Sequence, residues 1–308
     1  MQAELLEQRP LIEQYLKETR QPLSAFSFIN IFAWKDFFDF EIKKIDGSLC
    51  IFASEARNKA GTFLYLPPLG KTLKPETVDQ CFQYMQQCNN GVGRAHAHGV
   101  SRVENVPFEQ LSLFPVDRFK RLSKGQEYCY FRKDLTALQG NAYKSKRSDY
   151  NFFTKNYAAK YQPFAIEDKG ECLALYDQWS ARRKKGQRGE AYLYMLEDNR
   201  RVQEAVFEHY EELGLVGRVV RVKDNIVGYT FGYTLTQKIF CVLFEIADLD
   251  FKGLPVYIFR EFCADPQVAL FSFINAMDDF ALENIQKTKL SFRPKILFSS
   301  YVITPQLK

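Results

Sequence analysis

The sequence has no cysteine pair at CxxC spacing, no apolar run long enough for a membrane span, and only three histidines and two tryptophans. The seven cysteines are Cys50, Cys81, Cys88, Cys129, Cys172, Cys241 and Cys263. An odd, scattered set without a secretion signal excludes a disulfide framework and points to reduced thiols. Most are expected as small buried hydrophobes. Cys81 and Cys88 share a helix face by spacing, but no third or fourth ligand accompanies them. His96 and His98 alternate on an expected strand, and no nearby carboxylate or cysteine completes a metal site. No metal is therefore expected. The N-terminus, MQAELLEQRPLIEQYLKETR, is charged throughout and is no signal peptide. A membrane span needs about 20 apolar residues, whereas the run Ile239–Phe244 is closed by Lys238 and Glu245. A soluble, cytoplasmic protein with no transmembrane segment is expected. Gly91-Val92-Gly93-Arg94 is too short for a phosphate loop. No Ser-His-Asp or Cys-His arrangement is legible.

What is present is length, rings and a modest positive charge. The 308 residues are about twice an ordinary domain, so two domains are expected. The 28 Phe and 17 Tyr belong mostly to cores. A net charge of +5 is a slight bias toward anionic partners. Its distribution says more. Arg182, Arg183, Lys184, Lys185 and Arg188 form the densest basic run, with no acid inside it. Lys144, Lys146 and Arg147 form a second. Such runs are ordinarily solvated faces. Their functional reading is a phosphate-binding rim for nucleic acid, recognisable by its salt dependence. Aromatic interleaving is poor, so base-specific reading is not expected.

Patterning predicts the elements in order. A helix carries Leu5, Leu6, Leu11, Ile12, Tyr15 and Leu16, and a second runs from Ser24 to Phe38. Strands at Glu41–Ile45 and Leu49–Ala53 flank the turn Asp46-Gly47-Ser48, and Thr62–Leu66 follows. A helix covers Pro75–Gln87. A strand near Arg94–Val103, a short helix near Pro107–Leu113 and a strand at Tyr128–Arg132 complete an α+β domain. Asp134–Lys160 reads as a basic helical connector. Beyond it, helices are predicted at Glu171–Arg183, Asp198–Leu213, Pro255–Cys263 and Phe280–Thr288. Strands are predicted at Gly217–Val222, Ile226–Thr234, Lys238–Ala247, Leu270–Ile274 and Lys295–Ile303. The division is thus 1–133, a connector 134–160, and 161–308 carrying the site. Phe26-Ser27-Phe28-Ile29-Asn30 recurs as Phe271-Ser272-Phe273-Ile274-Asn275, but at unmatched points of the two halves, and reads as coincidence.

Three segments of the second half resemble the phosphatidylglycerol lysyltransferase C-terminal-domain family: HYEELGLVGRVVRVKDNIVGYTFGYTL, FEIADLDFKGLPVYIFREF and FINAMDDFALENIQKTKLSFRP. FSFINIFAWKDFFDFEI, FLYLPPLG and YFRKDLTALQGNAYKSKRSDYNFF of the first half resemble it as well. The resemblance implies an α+β chain of tandem GNAT-like (acyl-CoA N-acyltransferase) domains. Each would be a mixed, mainly antiparallel sheet flanked by helices. It also implies kinship with enzymes that move an aminoacyl group from charged tRNA to an amine or hydroxyl. The family's lysyltransferases proper carry a membrane region before this domain; a lipid acceptor is not expected here.

Acyl transfer needs a positioned acyl donor, a base and donors for the oxyanion. In the GNAT fold the acyl group lies between two splayed strands, here Lys238–Ala247 and Leu270–Ile274. Glu245 matches a carboxylate of the family's strand and is the expected base, with Asp248 as a second catalytic candidate. A salt-bridged or capping acid is the plainer reading. Lys252, Gly253 and Leu254 stand where GNAT enzymes hold a pyrophosphate on helix N–H groups. Asp250 and Pro255 depart from that pattern, since an acid repels phosphate and proline lacks an N–H. Acetyl-CoA is thereby disfavoured in favour of a different acyl donor or none, and the resemblance implies aminoacyl-tRNA as the expected donor. Asn275, Asp278, Asp279, Lys287, Lys289 and Arg293 are the expected substrate-binding set, Asp278 or Asp279 meeting an amino group. Helix-dipole complementarity alone could place the same charges. Ala281 stands where the family commonly has Gly. The function expected is aminoacyl or acyl transfer from a small-molecule or tRNA-borne donor. The alternative is a catalytically inactive tandem scaffold that binds a small ligand or nucleic acid.

Overall fold

The computed structural model describes residues 2–56, 61–90, 100–185 and 189–306. The Gly91–Arg94 segment, His96, His98, the start of the strand expected near Arg94, and Arg188 lie outside them. The chain divides into two compact units. One is Met1–Glu127 with Asp278–Ala281 and Leu297–Lys308; the other is Tyr128–Met277 with Leu282–Ile296.

The first unit opens with α1 (Gln2–Glu7) and α2 (Arg9–Thr19), whose first turn holds Pro10 where a missing N–H is harmless. The second predicted helix is only α3 (Phe28–Ala33). Ser27 caps it by accepting from the Asn30 N–H at 3.0 Å, and the chain is already extended by Phe38. Strands β1 (Phe38–Ile45) and β2 (Ser48–Glu55) form an antiparallel hairpin closed by Asp46 and Gly47, both at positive φ. β3 (Phe63–Leu64), α4 (Pro75–Asn89) and β4 (Val103–Pro107) follow, with β3 antiparallel to β2 and parallel to β4. After a 3₁₀ turn at Phe108–Leu113, β5 (Phe119–Phe131) has its residues up to Glu127 in this unit. Phe52, Leu64, Val78, Phe82, Met85, Val106 and Phe114 make its core.

Helices α5 (Arg132–Ala137) and α6 (Lys144–Asn156) and strand β6 (Ala159–Pro163) occupy the segment predicted as a connector. All three belong to the second unit. Then come α7 (Lys169–Lys184), α8 (Glu190–Glu208), α9 (Tyr210–Leu213), β7 (Val216–Val222), β8 (Asn225–Thr234), β9 (Ile239–Ala247), α10 (Leu254–Ala264), β10 (Phe273–Asn275) and α11 (Glu283–Ser291). β6 to β9 form an antiparallel meander, and β10 returns parallel to β9. The other edge of β10 pairs with Cys129–Phe131. One face of this sheet packs Ile226, Phe231 and Ile246 with Leu175 and Phe207; the other packs Val242 and Ala247 with residues of α10. The final strand, β11 (Ile296–Pro305), is antiparallel to β4 and lies, from Leu297 on, in the first unit.

Both units therefore use one order: an antiparallel meander, a helix, then a strand parallel to the last one. The Phe-Ser-Phe-Ile-Asn duplication plays no part in it. Its first copy enters a helix and its second forms β10. About half of the rings are buried in the cores, with Phe32, Phe52, Phe114, Phe153, Phe207, Phe231 and Phe240 fully buried. All the cysteines are free thiols, and only Cys88 is exposed.

Candidate active site

Strands β9 and β10 pair over three positions only, Ile239–Cys241 against Phe273–Asn275. Past them β9 continues to Ala247 while the other chain turns away. Asn275 starts that turn: it is fully buried, and its Oδ1 accepts from the Met277 N–H at 2.7 Å. The ammonium of Lys289, one of the expected substrate-binding residues, donates to the carbonyls of Ala276 at 2.6 Å and Met277 at 3.2 Å. It also lies 5.7 Å from the centre of the Tyr128 ring. The divergence of the two strands is thus held by a charge on α11.

Glu245 lies on β9 opposite Thr230. Strict alternation from Phe240 and Val242 would turn it to the other face of the sheet. The register shifts between Phe231/Phe244 and Gly232/Val242, so Leu243 is an extra residue in β9. That bulge restores Glu245 and Ala247 to the α10 face, where Ala247 packs with Leu254 and Ile258. As a residue Glu245 is partly exposed, but its Oε2 is buried and accepts no hydrogen bond. Burial pushes its carboxyl up to about 8, against the opposing pull of Lys146 and Lys289. Nearby, the thiol of Cys263 on α10 is raised first by burial and then by Glu245.

Lys146 was expected on a nucleic-acid rim. It is instead partly buried on α6, 4.1 Å from the centre of the Phe292 ring. Burial lowers its pKa, with Asp149 and Glu245 acting the other way. This is the member of the cluster that sequence reasoning missed. Its run Lys-Ser-Lys-Arg looks like solvated charge, and α6 lay in the expected connector.

The other expected residues are placed as follows. Asp248 follows β9 but is committed elsewhere: its Oδ1 accepts from Arg182 at 3.2 Å and from the Asp250 N–H at 3.1 Å. Arg182 also holds Asp250 at 2.6 Å and keeps that exposed carboxyl below its ordinary range. Lys287 is exposed and paired along α11 with Glu283 at 2.6 Å. Arg293 sits at positive φ, with its charge acting on Tyr143. Asp278 and Asp279 belong to the first unit. There Asp279 is buried and accepts from the Ala281 N–H at 3.0 Å. On the expected rim, Arg147 donates to the carbonyls of Leu138 and Gly140. Arg183 lies 5.0 Å from the Trp179 ring centre, and Lys184 pairs with Glu197 at 3.3 Å. Lys144 and Lys185 are exposed.

The loop expected to match a coenzyme A pyrophosphate site does not fit that group. Gly253 caps α10 with φ 88°. A Cβ there would stand 2.2 Å from the Asp149 carbonyl oxygen and 3.1 Å from the Phe153 Cβ. The glycine thus admits the backbone of α6. Leu254 N–H is already donated to Phe251 O at 3.1 Å, and Pro255 has none to give. Lys252 stands over the Phe152 ring, 4.8 Å from its centre.

A meander, a helix and a parallel strand, repeated in each unit, define a tandem GNAT fold. The tandem GNAT protein of the clavulanic acid biosynthesis pathway is similar at TM-score 0.52 and 8% identity, over 97% of this chain and 96% of that one. Within that fold, residues 17–304 match the family described as phosphatidylglycerol lysyltransferase, C-terminal, and the chain belongs to it. Two solved structures are more similar in shape. A conserved protein of unknown function from Bacteroides thetaiotaomicron has TM-score 0.81 and 23% identity, covering 98% of this chain and 97% of that one. L-PGS from Bacillus licheniformis has TM-score 0.64 and 14% identity, covering 97% and 92%. No curated protein matches the chain. No helix among the described residues is long and apolar enough to cross a membrane.

Proposed function

We propose that this chain transfers an aminoacyl or other acyl group to an amine or hydroxyl, with Glu245 as the base. One observation carries the reading. A carboxyl on β9, beyond the point where β9 and β10 part, has a buried oxygen without a hydrogen-bond partner and a pKa raised to about 8. A carboxylate tuned toward neutrality is a stronger base than an ordinary one. The acceptor atom attacks the acyl carbonyl and gives its proton to Glu245. The ester bond breaks, and its leaving oxygen takes a proton to become a hydroxyl. Asp248 is engaged by Arg182 instead. Lys289 positions the reaction by fixing the backbone after β10.

An aminoacyl-tRNA is the donor we put forward. The closed loop at Gly253 supports a donor other than acetyl-CoA, and membership of the family supports aminoacyl transfer. The exposed Lys144 and Lys185 would meet phosphates, while the pairing of Arg182 and Lys184 with acids would keep the salt dependence shallow. The test incubates the protein with charged tRNAs and a mixture of amine and hydroxyl acceptors, and follows loss of the aminoacyl ester. Wild type should deplete the ester and Glu245→Gln should slow it at least about 100-fold, in the range general-base catalysis contributes. Tight acetyl-CoA binding, or equal rates for the two proteins, would overturn the reading.

A further inference from the structure

An open cavity of about 520 Å³ lies in the second unit, apart from Glu245, where α7, the β7–β8 turn and the loop after β9 meet. Its volume falls within the roughly 300–1,000 Å³ of small-molecule sites. Its apolar part is made by Ala174 and Leu175 of α7 and by the rings of Tyr157 and Phe251. Those rings meet edge to face with centroids 5.1 Å apart.

The carboxylates around it are paired. Glu171 accepts from Arg221 at 2.9 Å and from the Ile226 N–H. Asp248 is held by Arg182. Apart from Lys223, what is left for a ligand is neutral. The Gln178 carboxamide and the Tyr157 hydroxyl make no hydrogen bond among the described residues, and Asn225 uses its amide N–H on Lys223 O at 3.3 Å, leaving its oxygen. A site of rings, aliphatic wall and carboxamides does not select a bare ion. It suits a flat, neutral ring with donors and acceptors along its edge. Lys223 at the lip supplies a single cation for an attached phosphate.

We propose that this cavity binds a nucleoside or nucleotide, with its base against Tyr157 and Phe251, its edge on Gln178 and Asn225, and its phosphate toward Lys223. The site stands independently of the transfer reaction.

Isothermal titration of the full chain with adenosine, AMP, GMP, UMP, inorganic phosphate and free lysine tests it. At least one nucleoside or nucleotide should bind at millimolar affinity or better. Ala174→Phe fills the cavity from an exposed helix position, and should weaken binding at least tenfold with an unchanged melting temperature. Gln178→Leu should weaken it and change the preference among bases, which a purely structural role would not do. Lys223→Ala should weaken AMP and leave adenosine unaffected. Binding untouched by Ala174→Phe, binding of inorganic phosphate or lysine alone, or no binding of any nucleoside or nucleotide would each overturn the proposal. If Ala174→Phe lowers the melting temperature, Gln178→Leu decides: unchanged affinity and unchanged base preference overturn it.

Discussion

The ammonium of Lys289 sits 2.6 Å from the carbonyl oxygen of Ala276, immediately after the last residue of β10. A side chain on α11 thereby fixes the backbone at the point where β9 and β10 separate. Replacing it with methionine takes that donor from the Ala276 carbonyl, while the Met277 carbonyl keeps the Tyr128 N–H at 3.2 Å. Such a loss costs about 1–3 kcal/mol. Lys289→Met should lower stability by that amount in chemical denaturation. It should also raise the pKa of Glu245, since one opposing charge is gone. Lys287→Met, which removes an exposed pair two residues earlier, should change stability by less than about 0.5 kcal/mol. Equal effects of the two substitutions would contradict this role for Lys289.

Gly253 is held at φ 88° against the Asp149 carbonyl. Gly253→Ala combines a left-handed backbone with a clash against main chain rather than a movable side chain. A loss of about 2 kcal/mol or more is expected. Denaturant titration checks it, and a neutral result would mean that α6 does not press on this loop.

Met277, Phe280 and Ala281 all have positive φ. Glycine adopts that conformation without the steric cost borne by other residues. Ala281→Gly should therefore stabilise the protein by about 0.5–1 kcal/mol. A destabilised variant would show that the segment is not strained at this residue.

Those left-handed residues also explain where sequence reading met its limit. The pattern placed a helix at Phe280–Thr288, but Phe280 and Ala281 cannot be helical at positive φ, and α11 starts at Glu283. β6 was hidden in the connector because Ala-Lys-Tyr-Gln-Pro lacks a strong strand pattern; its pairing with β7 supplies what its own residues do not. The β1–β2 hairpin was legible because Asp-Gly encodes its turn locally. Glu245 was legible as an acid ending an apolar run. Its partner Lys146 was not, because the two come together only when α6 packs against α10, and no local signal separates a lysine that will be buried from its exposed neighbours Lys144 and Ser145.

The bulge at Leu243 was equally silent. Without it the alternation of β9 would send Glu245 away from α10 and from both lysines. Its consequence is a carboxyl kept neutral to unusually high pH. If that group is the base, the rate of transfer rises about tenfold per pH unit up to about pH 8 and levels above it.

Folding stability measured against pH for wild type and Glu245→Gln tests the buried carboxyl without any substrate. Its pKa goes from an ordinary 4.5 to about 8 on folding. Below 4.5 both states are protonated and the group contributes nothing. As pH rises through that value the unfolded chain loses its proton while the folded protein keeps it, so wild type loses stability relative to the variant. Each unit of pH adds about 1.4 kcal/mol to the gap at most. The expected result is a gap that widens in favour of Glu245→Gln between pH 4.5 and 8 and then stays constant. A gap that is flat, or one that shifts in favour of wild type as pH rises, would contradict the assignment of Glu245 as a buried, neutral acid poised to act as the base.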